Sequence, residues 1–251
     1  MSKLDIIEHL QSHRSVRKFK PEPVTEEQLA QILASAQSAP TSSNIQAYSV
    51  VGVRNPETKR QFAELAGGQK HIEESGIFLV WCADLNRLQT AIRLQENNPE
   101  LELDQNVETF LLATIDATLA AQNATIAAEA LGLGTVYIGG IRNNPKRAAE
   151  LIGLPRLVYP VFGMCIGVPD QEPTLRPRLP VQTVYHAETY RTDAFADGIR
   201  AYDDATRQYY AGRTGGIKDT YWSKEMASRF RKERLRYHLR DFIEGQGFRF
   251  Q

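Results

Sequence analysis

The sequence predicts a layered domain of the α/β or α+β class. Four short apolar segments with strand character lie at 48–53, 77–82, around 137 and at 159–168. Helical patterns separate them, which is the order expected for a sheet covered by helices. No second domain boundary and no internal repeat is evident. We therefore expect a single domain over residues 1–251, with residues 169–251 as a C-terminal arm and helical excursion.

Composition limits the classes of partner. The 30 basic and 30 acidic side chains cancel, so no overall field draws the chain to nucleic acid or an anionic membrane, and any anion site must be local. Cys82 and Cys165 lie in apolar strand-like runs, where we expect buried, reduced thiols. With no secretory h-region and no run of eighteen apolar residues, we expect a cytoplasmic protein without nucleic-acid or membrane partners.

Capping residues mark the first helices. Apolar residues at helical spacing predict a short helix that ends near His13. Thr25 followed by Gln28 is a capping box, which predicts that the second helix begins there. Asn55 and Pro56 are typical of a cap and first helical position, and therefore predict a third helix after the first strand.

Residues 107–133 are the most informative helical stretch. Apolar side chains cover more than one face, and a helix of this kind is buried. The simplest way to bury it is at the centre of the domain and against a second subunit. The preceding residues, 85–105, are polar and acidic with weak periodicity, so we expect an exposed insertion of variable conformation.

The C-terminal third changes character. Another helix follows the cap at Asn144, and an extended arm rich in proline and arginine begins after Pro169. Helical patterns at 196–210 and 222–244 bracket a glycine-containing loop at 213–218, for which we expect mobility. The last helix is basic on one side, but interleaved acidic residues favour a packed helix with a solvated face over a nucleic-acid site.

Two basic clusters could hold an anion. The first occupies residues 13–19, where Arg14 and Arg17 are three apart and Ser15 lies between them. Planar guanidinium groups form paired, charge-assisted hydrogen bonds to phosphate. The second is Arg-Pro-Arg-Leu-Pro at 176–180, where proline stiffens the backbone. Taken alone, the first cluster is more typical of a solvated basic turn, and the second cluster is what favours an anion site.

Other catalytic motifs are absent. Gly132 and Gly134 resemble the start of a dinucleotide fingerprint, but the third glycine is missing and the order is helix then strand. The five histidines are scattered without metal-binding spacing, so we predict no metal site. No acyl-transfer motif is present either, so if this chain is an enzyme, a cofactor would carry the chemistry.

In combination, the clusters carry a family resemblance. His-Arg-Ser-hydrophobe-Arg at 13–17 and Arg-Pro-Arg-Leu-Pro at 176–180 are similar to motifs of the FMN-dependent nitroreductases, an oxidoreductase family. The match continues through 67–70, 137–144 and 209–213, and the chain most resembles the oxygen-insensitive NADPH nitroreductases and NADPH–flavin oxidoreductases. The resemblance implies an α+β nitroreductase-like fold, with a central, mainly antiparallel or mixed sheet flanked by helices and the long buried helix at a homodimer interface.

The resemblance also implies how bound FMN would be held. Arg14, Arg176 and Arg178 would grip the ribityl phosphate, with His13 and Ser15 on the ribityl chain or phosphate. Relatives often have Lys-Pro-Arg at the second cluster, so the charge is kept while the geometry differs. At the flavin ring, Arg17 would meet the N1–C2 carbonyl edge and Gln69 the pyrimidine edge. Gly139 and Gly140 would lie near N5, and Tyr137 and Ile138 would line the pocket. Ser42 and Ser43 would reach towards the partner subunit's flavin.

The implied reaction is ping-pong reduction. NADPH, bound through its 2′-phosphate by Arg213 with Lys218 as a helper, would pass hydride to FMN, and a nitroaromatic, quinone or free flavin would then accept two electrons. Two alternatives stay open at this point. The chain could bind FMN but catalyse a different reaction, or it could be a non-enzymatic module whose arginines hold a phosphorylated ligand or nucleic acid.

Overall fold

The core of the fold is a four-stranded antiparallel sheet in the order β1-β2-β4-β3. The computed structural model describes residues 3–103, 106–214 and 217–250. The strands are β1 (Tyr48–Val53), β2 (Ile77–Asp84), β3 (Gly134–Ile138) and β4 (Val158–Gly167). The α+β class and the antiparallel sheet are therefore confirmed, and all four predicted strands are present.

The two central strands explain the continuous apolar runs in the sequence. Every residue of β2 is buried, because helices cover both faces of the sheet there. Gly163 of β4 lies opposite Val80 and leaves space for the ring of Phe78, since a Cβ at that position would be 2.2 Å from the ring edge. Cys82 and Cys165 are buried and unpaired as predicted, and burial raises the pKa of Cys165 to about 12.

The helices of the described chain follow the predicted order. They are α1 (Lys3–Gln11), α2 (Glu26–Gln37), α3 (Pro56–Leu65), α4 (His71–Glu74), α5 (Asn86–Gln95), α6 (Val107–Ala130), α7 (Pro145–Leu151), α8 (Val181–Val184), α9 (Phe195–Thr214), α10 (Trp222–Arg229) and α11 (Leu239–Gly245). The capping box at Thr25 and the Asn55 and Asn144 caps are all formed. None of the described helices is both long and apolar enough to span a membrane.

The chain divides into two compact units. One unit runs to Pro173 and resumes at Arg236, so it contains the sheet and α11. The other spans Thr174–Leu235 and consists of the Arg-Pro-Arg segment with α8, α9 and α10. The single domain over residues 1–251 stays a prediction.

The long helix α6 is buried on only part of its surface. Its start is capped by Asn106, whose side chain accepts from Thr109 N in a capping box. Alanines such as Ala117 and Ala124 face the sheet and are fully buried. On the other side, four apolar residues at intervals of four are 39–53% exposed, namely Val107, Leu111, Ile115 and Leu119. The buried-helix prediction is therefore confirmed for the face on the sheet.

For residues 85–105, the expectation of a variable conformation is wrong at 86–95, whereas the expected exposure is confirmed for 94–100. Residues 86–95 form α5, and Leu85 and Gln89 are buried. The Gln89 amide donates to Leu101 O and accepts from Leu103 N, which ties the following loop to the helix. A buried amide is stable only when its hydrogen bonds are satisfied, so this contact orders the segment. Residues 104 and 105 lie outside the described residues.

The single helix expected over 222–244 is also wrong. The segment is α10, a short 3-10 helix (Lys232–Arg234) and α11, separated by extended backbone at Arg231 and Leu235. Arg236 donates to Asn143 Oδ1, and His238 Nε2 bonds to Arg142 O. Such long-range contacts override helix propensity. The mobility expected for the 213–218 loop depends on Gly215 and Gly216, which lie outside the described residues.

Candidate functional site

The first basic cluster lies along the outer edge of β3. Ser15 pairs with Thr135 in a parallel bridge, and Val16 N donates to Thr135 O over 2.9 Å. Val16 is buried, and its side chain occupies the place of a Gly134 Cβ, which would lie 2.7 Å from it. Glycine at 134 therefore allows the N-terminal segment to approach the sheet, and backbone bonds fix its register.

His13 is held by a carboxylate of α6. Its Nδ1 lies 2.6 Å from Glu129 Oε1, and Thr135 Oγ1 donates to the same oxygen over 3.2 Å. The His13 side chain is 27% exposed and that of Glu129 15%. Because an ionised carboxylate can only accept, Nδ1 carries the hydrogen of this bond and Nε2 is left for another partner.

The glycine pair and Gln69 meet at the far end of β3. Gly139 and Gly140 begin a 3-10 helix (Gly139–Asn143) directly after the strand. Gln69 Nε2 donates to Ala66 O over 2.8 Å, and a Cβ on Gly140 would lie 2.7 Å from both of those atoms. Three extended residue steps separate Thr135 from Ile138, so about 10 Å of strand lies between the basic cluster and this glycine turn.

Arg14 and Arg17 are both exposed on the segment that runs along β3. Close to Arg17 lies His71, at the start of α4. Burial lowers the pKa of His71, and the positive charge of Arg17 lowers it further. The buried His71 Nε2 has no hydrogen-bond partner among the described residues. Close to Arg17, which was predicted to meet the edge of the flavin ring, there is therefore a neutral imidazole, that of His71.

The serine loop is held by a second carboxylate of α6. Ser42 N and Ala47 N donate to the two oxygens of Asp116 over 3.1 and 3.0 Å, and Asp116 is fully buried. Ser43 has φ of 47°, in the left-handed region that few non-glycine residues adopt. Backbone of this kind persists only where its surroundings hold it, and Asp116 supplies two of those bonds. Ser42 and Ser43 themselves are exposed.

Tyr137 and Ile138 direct their side chains to opposite faces of β3. The Tyr137 hydroxyl accepts from Thr125 and donates to Gln122, both on α6. Ile138 points to the opposite face of the sheet, where it is buried in a hydrophobic cluster that includes Phe62. Burial raises the pKa of Tyr137, so the phenol stays protonated at neutral pH.

In the second unit, tyrosines of α9 contact several of the predicted cationic side chains. Arg176 Nη2 donates to the Tyr210 hydroxyl over 2.6 Å, and Lys218 Nζ lies 5.0 Å from the centroid of the same ring. Cations over a tyrosine face are stabilised by the ring quadrupole. Lys218 also pairs with Glu225 at 3.1 Å. The structure therefore brings Arg176 and Lys218 to one aromatic side chain.

The remaining predicted cations of this unit are exposed. Arg213 Nη1 lies 3.4 Å from the Tyr209 hydroxyl, and Arg178 extends from a segment without regular secondary structure. That segment is tied to α9 by the Tyr202 hydroxyl, which donates to Pro177 O over 3.0 Å. Exposed guanidinium groups on a fixed backbone suit an anionic ligand from solution.

Sequence reasoning missed three residues of these sites, Glu129, Asp116 and His71. A signal existed for the first two: they are carboxylates in the otherwise apolar, alanine-rich stretch of α6. Buried charges are retained where they are paired, so each indicated a distant partner. For His71 the sequence offered none. Among the described residues, no group of three His, Cys, Asp or Glu side chains is arranged to hold a metal ion.

Comparison with known families accounts for most of the chain. The sequence matches the model of the nitroreductase family over residues 10–168. Residues 176–251 match the model of the nitroreductase family, C-terminal domain. The two matches therefore include both basic clusters and the whole sheet.

Individual proteins give the same result. The chain is 44% identical over 246 residues to FMN reductase (NADPH) of Bacillus subtilis (strain 168), a match that covers 96% of this chain and 97% of that one. It resembles the structure of B. megaterium NfrA1 with a TM-score of 0.92 and 42% identity over 97% and 99% of the two chains. It also resembles the NADPH:FMN oxidoreductase from Vibrio harveyi complexed with NAD+, with a TM-score of 0.86 and 36% identity over 97% and 98%.

Proposed function

This chain belongs to the nitroreductase family, and on that premise we propose that it is an FMN-dependent NADPH oxidoreductase that reduces flavins, nitroaromatics or quinones. Its relatives include proteins named FMN reductase (NADPH), NADPH-flavin oxidoreductase and oxygen-insensitive NADPH nitroreductase. The observation that supports the proposal is the edge of β3, which has the His13–Arg17 basic cluster at one end and a glycine turn with Gln69 at the other.

The residues present fit FMN. At the start of β3, His13, Arg14 and Ser15 supply the imidazole, guanidinium and hydroxyl groups that a ribityl phosphate requires. At its end, Gly140 packs directly against Ala66 O and Gln69 Nε2, so the absence of a side chain there lets the turn lie beside the Gln69 amide, the proposed ring contact. The chemistry that bound FMN supplies is two-electron transfer from NADPH to an acceptor in ping-pong order.

The side chains of the site bind and tune the cofactor. Arg17 would lie beside the N1–C2 carbonyl edge of the isoalloxazine and would favour reduction by placing positive charge where negative charge develops. Gln69 would contact the pyrimidine edge, and Gly139 and Gly140 would present backbone near N5. Arg176 and Arg178 would be further phosphate ligands, as the family resemblance implies. No side chain serves as obligatory acid or base, because water can supply the protons.

Arg213 and Lys218 are the proposed NADPH contacts. Both are exposed cations, and a 2′-phosphate needs a guanidinium or ammonium group that solvent can reach. The contact of Arg213 with Tyr209 is weak, so the guanidinium group of Arg213 can bind such a ligand.

We also propose a cytoplasmic homodimer. Beside the exposed stripe of α6, α1 carries three apolar residues that are 46–48% exposed, Ile6, Ile7 and Leu10. The two helices are tied by His9 Nε2, which bonds to Ile126 O over 3.1 Å. Exposed apolar surface of this extent is typical of a protein interface. A second copy of the chain would cover it, and Ser42 and Ser43 would then reach towards the partner subunit's flavin. Tyr137 would line the proposed pocket, whereas Ile138, whose side chain is buried in the core, could contribute only its backbone.

The visible spectrum of the purified, dialysed protein before and after anaerobic NADPH tests the proposal. We expect flavin bands at about one FMN per subunit, bleached by NADPH and restored by a nitroaromatic or free flavin. Flavin bands that neither NADPH nor NADH bleaches would keep FMN but require a different reaction. A colourless protein that fails to take up added FMN would contradict the assignment of both arginine clusters and leave a non-enzymatic binding module.

A further inference from the structure

We propose that Glu129 of α6 is a positioning residue for FMN, acting through His13. The inference rests on the proposed function, since it concerns the same cofactor. Glu129 would not touch FMN. It would hold the imidazole in one orientation and one protonation pattern, so that a single ring nitrogen faces the ligand.

The geometry around Glu129 supports a dedicated role. One carboxylate oxygen, Oε1, receives both His13 Nδ1 at 2.6 Å and Thr135 Oγ1 at 3.2 Å. The Glu129 side chain is 15% exposed, and retaining a largely buried carboxylate requires bonds of this kind. Thr135 also pairs with Ser15 and accepts from Val16 N. Glu129 is therefore bonded to the histidine and to the residue that aligns the rest of the cluster.

The chemistry of imidazole determines the consequence. With Nδ1–H donated to Glu129, a neutral ring presents only the Nε2 lone pair, which accepts from a ribityl hydroxyl. If the ring takes up a proton, Nε2–H donates to phosphate instead. In both states Nε2 points away from α6, and the ring cannot turn without breaking the bond to Glu129. Carboxylates that orient a ligand-binding histidine in this way raise affinity by about 10-fold or more in metal sites.

The test is the dissociation constant of FMN, measured on the purified holoprotein from the fluorescence of FMN released on serial dilution. We expect Glu129→Ala to weaken binding about tenfold. Glu129→Gln keeps an acceptor oxygen and should stay within about threefold of the natural protein. Glu108→Ala is the matched control, because Glu108 is an exposed carboxylate on the same helix, and it should leave the constant unchanged.

A double-mutant cycle separates positioning from a general effect on the fold. In a His13→Ala background, Glu129→Ala should cause no further loss, because its effect passes through the histidine. An equal loss in both backgrounds would overturn the proposal. Nitrogen-15 spectra of the imidazole give a second readout: His13 should carry its hydrogen on Nδ1 in the natural protein and lose that preference in Glu129→Ala. An unchanged tautomer would also overturn the proposal.

Failure of this inference differs from failure of the proposed function. If the natural protein binds FMN and Glu129→Ala binds it equally well, Glu129 has no positioning role and the flavoenzyme remains. If the natural protein retains no FMN at all, both proposals are wrong.

Discussion

The two arginine clusters offer the same chemistry but are held in different ways. The first is attached to the sheet by backbone bonds at Ser15 and Val16, and its histidine is held by Glu129, 116 positions away in sequence. The second lies in a segment without regular structure, and Arg176 itself is exposed and contacts the half-buried Tyr210 of α9.

This difference indicates which substitutions will change the stability of the fold and which will change only ligand binding. Where the core holds a binding segment, a change in a supporting residue alters packing and binding together. Where tyrosines and solvent surround a cation, its contacts contribute little to stability, since exposed pairs are worth about 0–1 kcal/mol. Substitutions at core-supported residues should therefore change the free energy of unfolding most, and substitutions at exposed cations least.

The largest effect is expected at Asp116, which supports a binding segment from within the core. Asp116→Ala should lower the free energy of unfolding by about 3 kcal/mol, because Ala47 N loses its acceptor in a buried position. Asp116→Asn keeps one acceptor oxygen and should lose less. Urea unfolding measures both, with Glu108→Ala as the exposed control. A loss at Asp116 no larger than that control would remove the distinction between the two kinds of support.

Gly134→Ala should destabilise the protein by about 2 kcal/mol and weaken FMN binding. The new Cβ would lie 2.7 Å from the Val16 side chain, so the N-terminal segment must move away from β3. Gly212→Ala is the control in the second unit: it lies in α9 with no atom within 4 Å of the new Cβ. There alanine should be neutral or stabilising by about 0.5–1 kcal/mol. An equal change in the free energy of unfolding at Gly134 and Gly212 would contradict the proposed difference between the two clusters.

Lys59 tests a cation that the core buries outright. Its ammonium donates to Ser75 O, and burial lowers its pKa. The folded state therefore binds the proton less tightly than the unfolded chain, so burial of the charge costs stability near neutral pH. That cost disappears as the pH rises from the folded pKa towards the unfolded value of about 10.4.

Lys59→Met should accordingly raise the free energy of unfolding by about 1 kcal/mol at pH 7, with a smaller gain at alkaline pH. Urea unfolding at several pH values provides the measurement. Lys146→Met, at an exposed lysine of α7, should change little at any pH. A gain that grows with pH would show that the assigned direction of the pKa shift is wrong.

The smallest effect on stability is expected at Arg213. Arg213→Ala should leave thermal unfolding unchanged, because the side chain is exposed and its bond to Tyr209 is long. The KM for NADPH should rise about tenfold with NADH spared, since a charge-assisted bond to the 2′-phosphate would be lost. Steady-state kinetics with both nucleotides decide the matter, and equal losses would remove the case for 2′-phosphate recognition.

Local patterns were enough for the elements whose signals lie within a few residues. The strand at 48–53 and the caps at Thr25, Asn55 and Asn144 were predicted because caps and β-branched runs act over one turn or one strand. The predictions for 85–105 and 222–244 were wrong because Gln89 and Arg236 take partners from other segments of the chain. Weak helical periodicity carries no information about such partners.

Hydrophobic periodicity and residue type were enough to predict a layered α/β or α+β domain, the long helix at 107–133 and two anion-binding clusters. The antiparallel sheet was predicted from the family resemblance. Which residues hold the binding side chains in place could be read only from the folded structure. Folding brings Glu129 to His13 beside β3, Asp116 to the loop before β1, and His71 close to Arg17. The orientation and protonation of a side chain depend on atoms brought near it by folding, and distance along the chain does not report them.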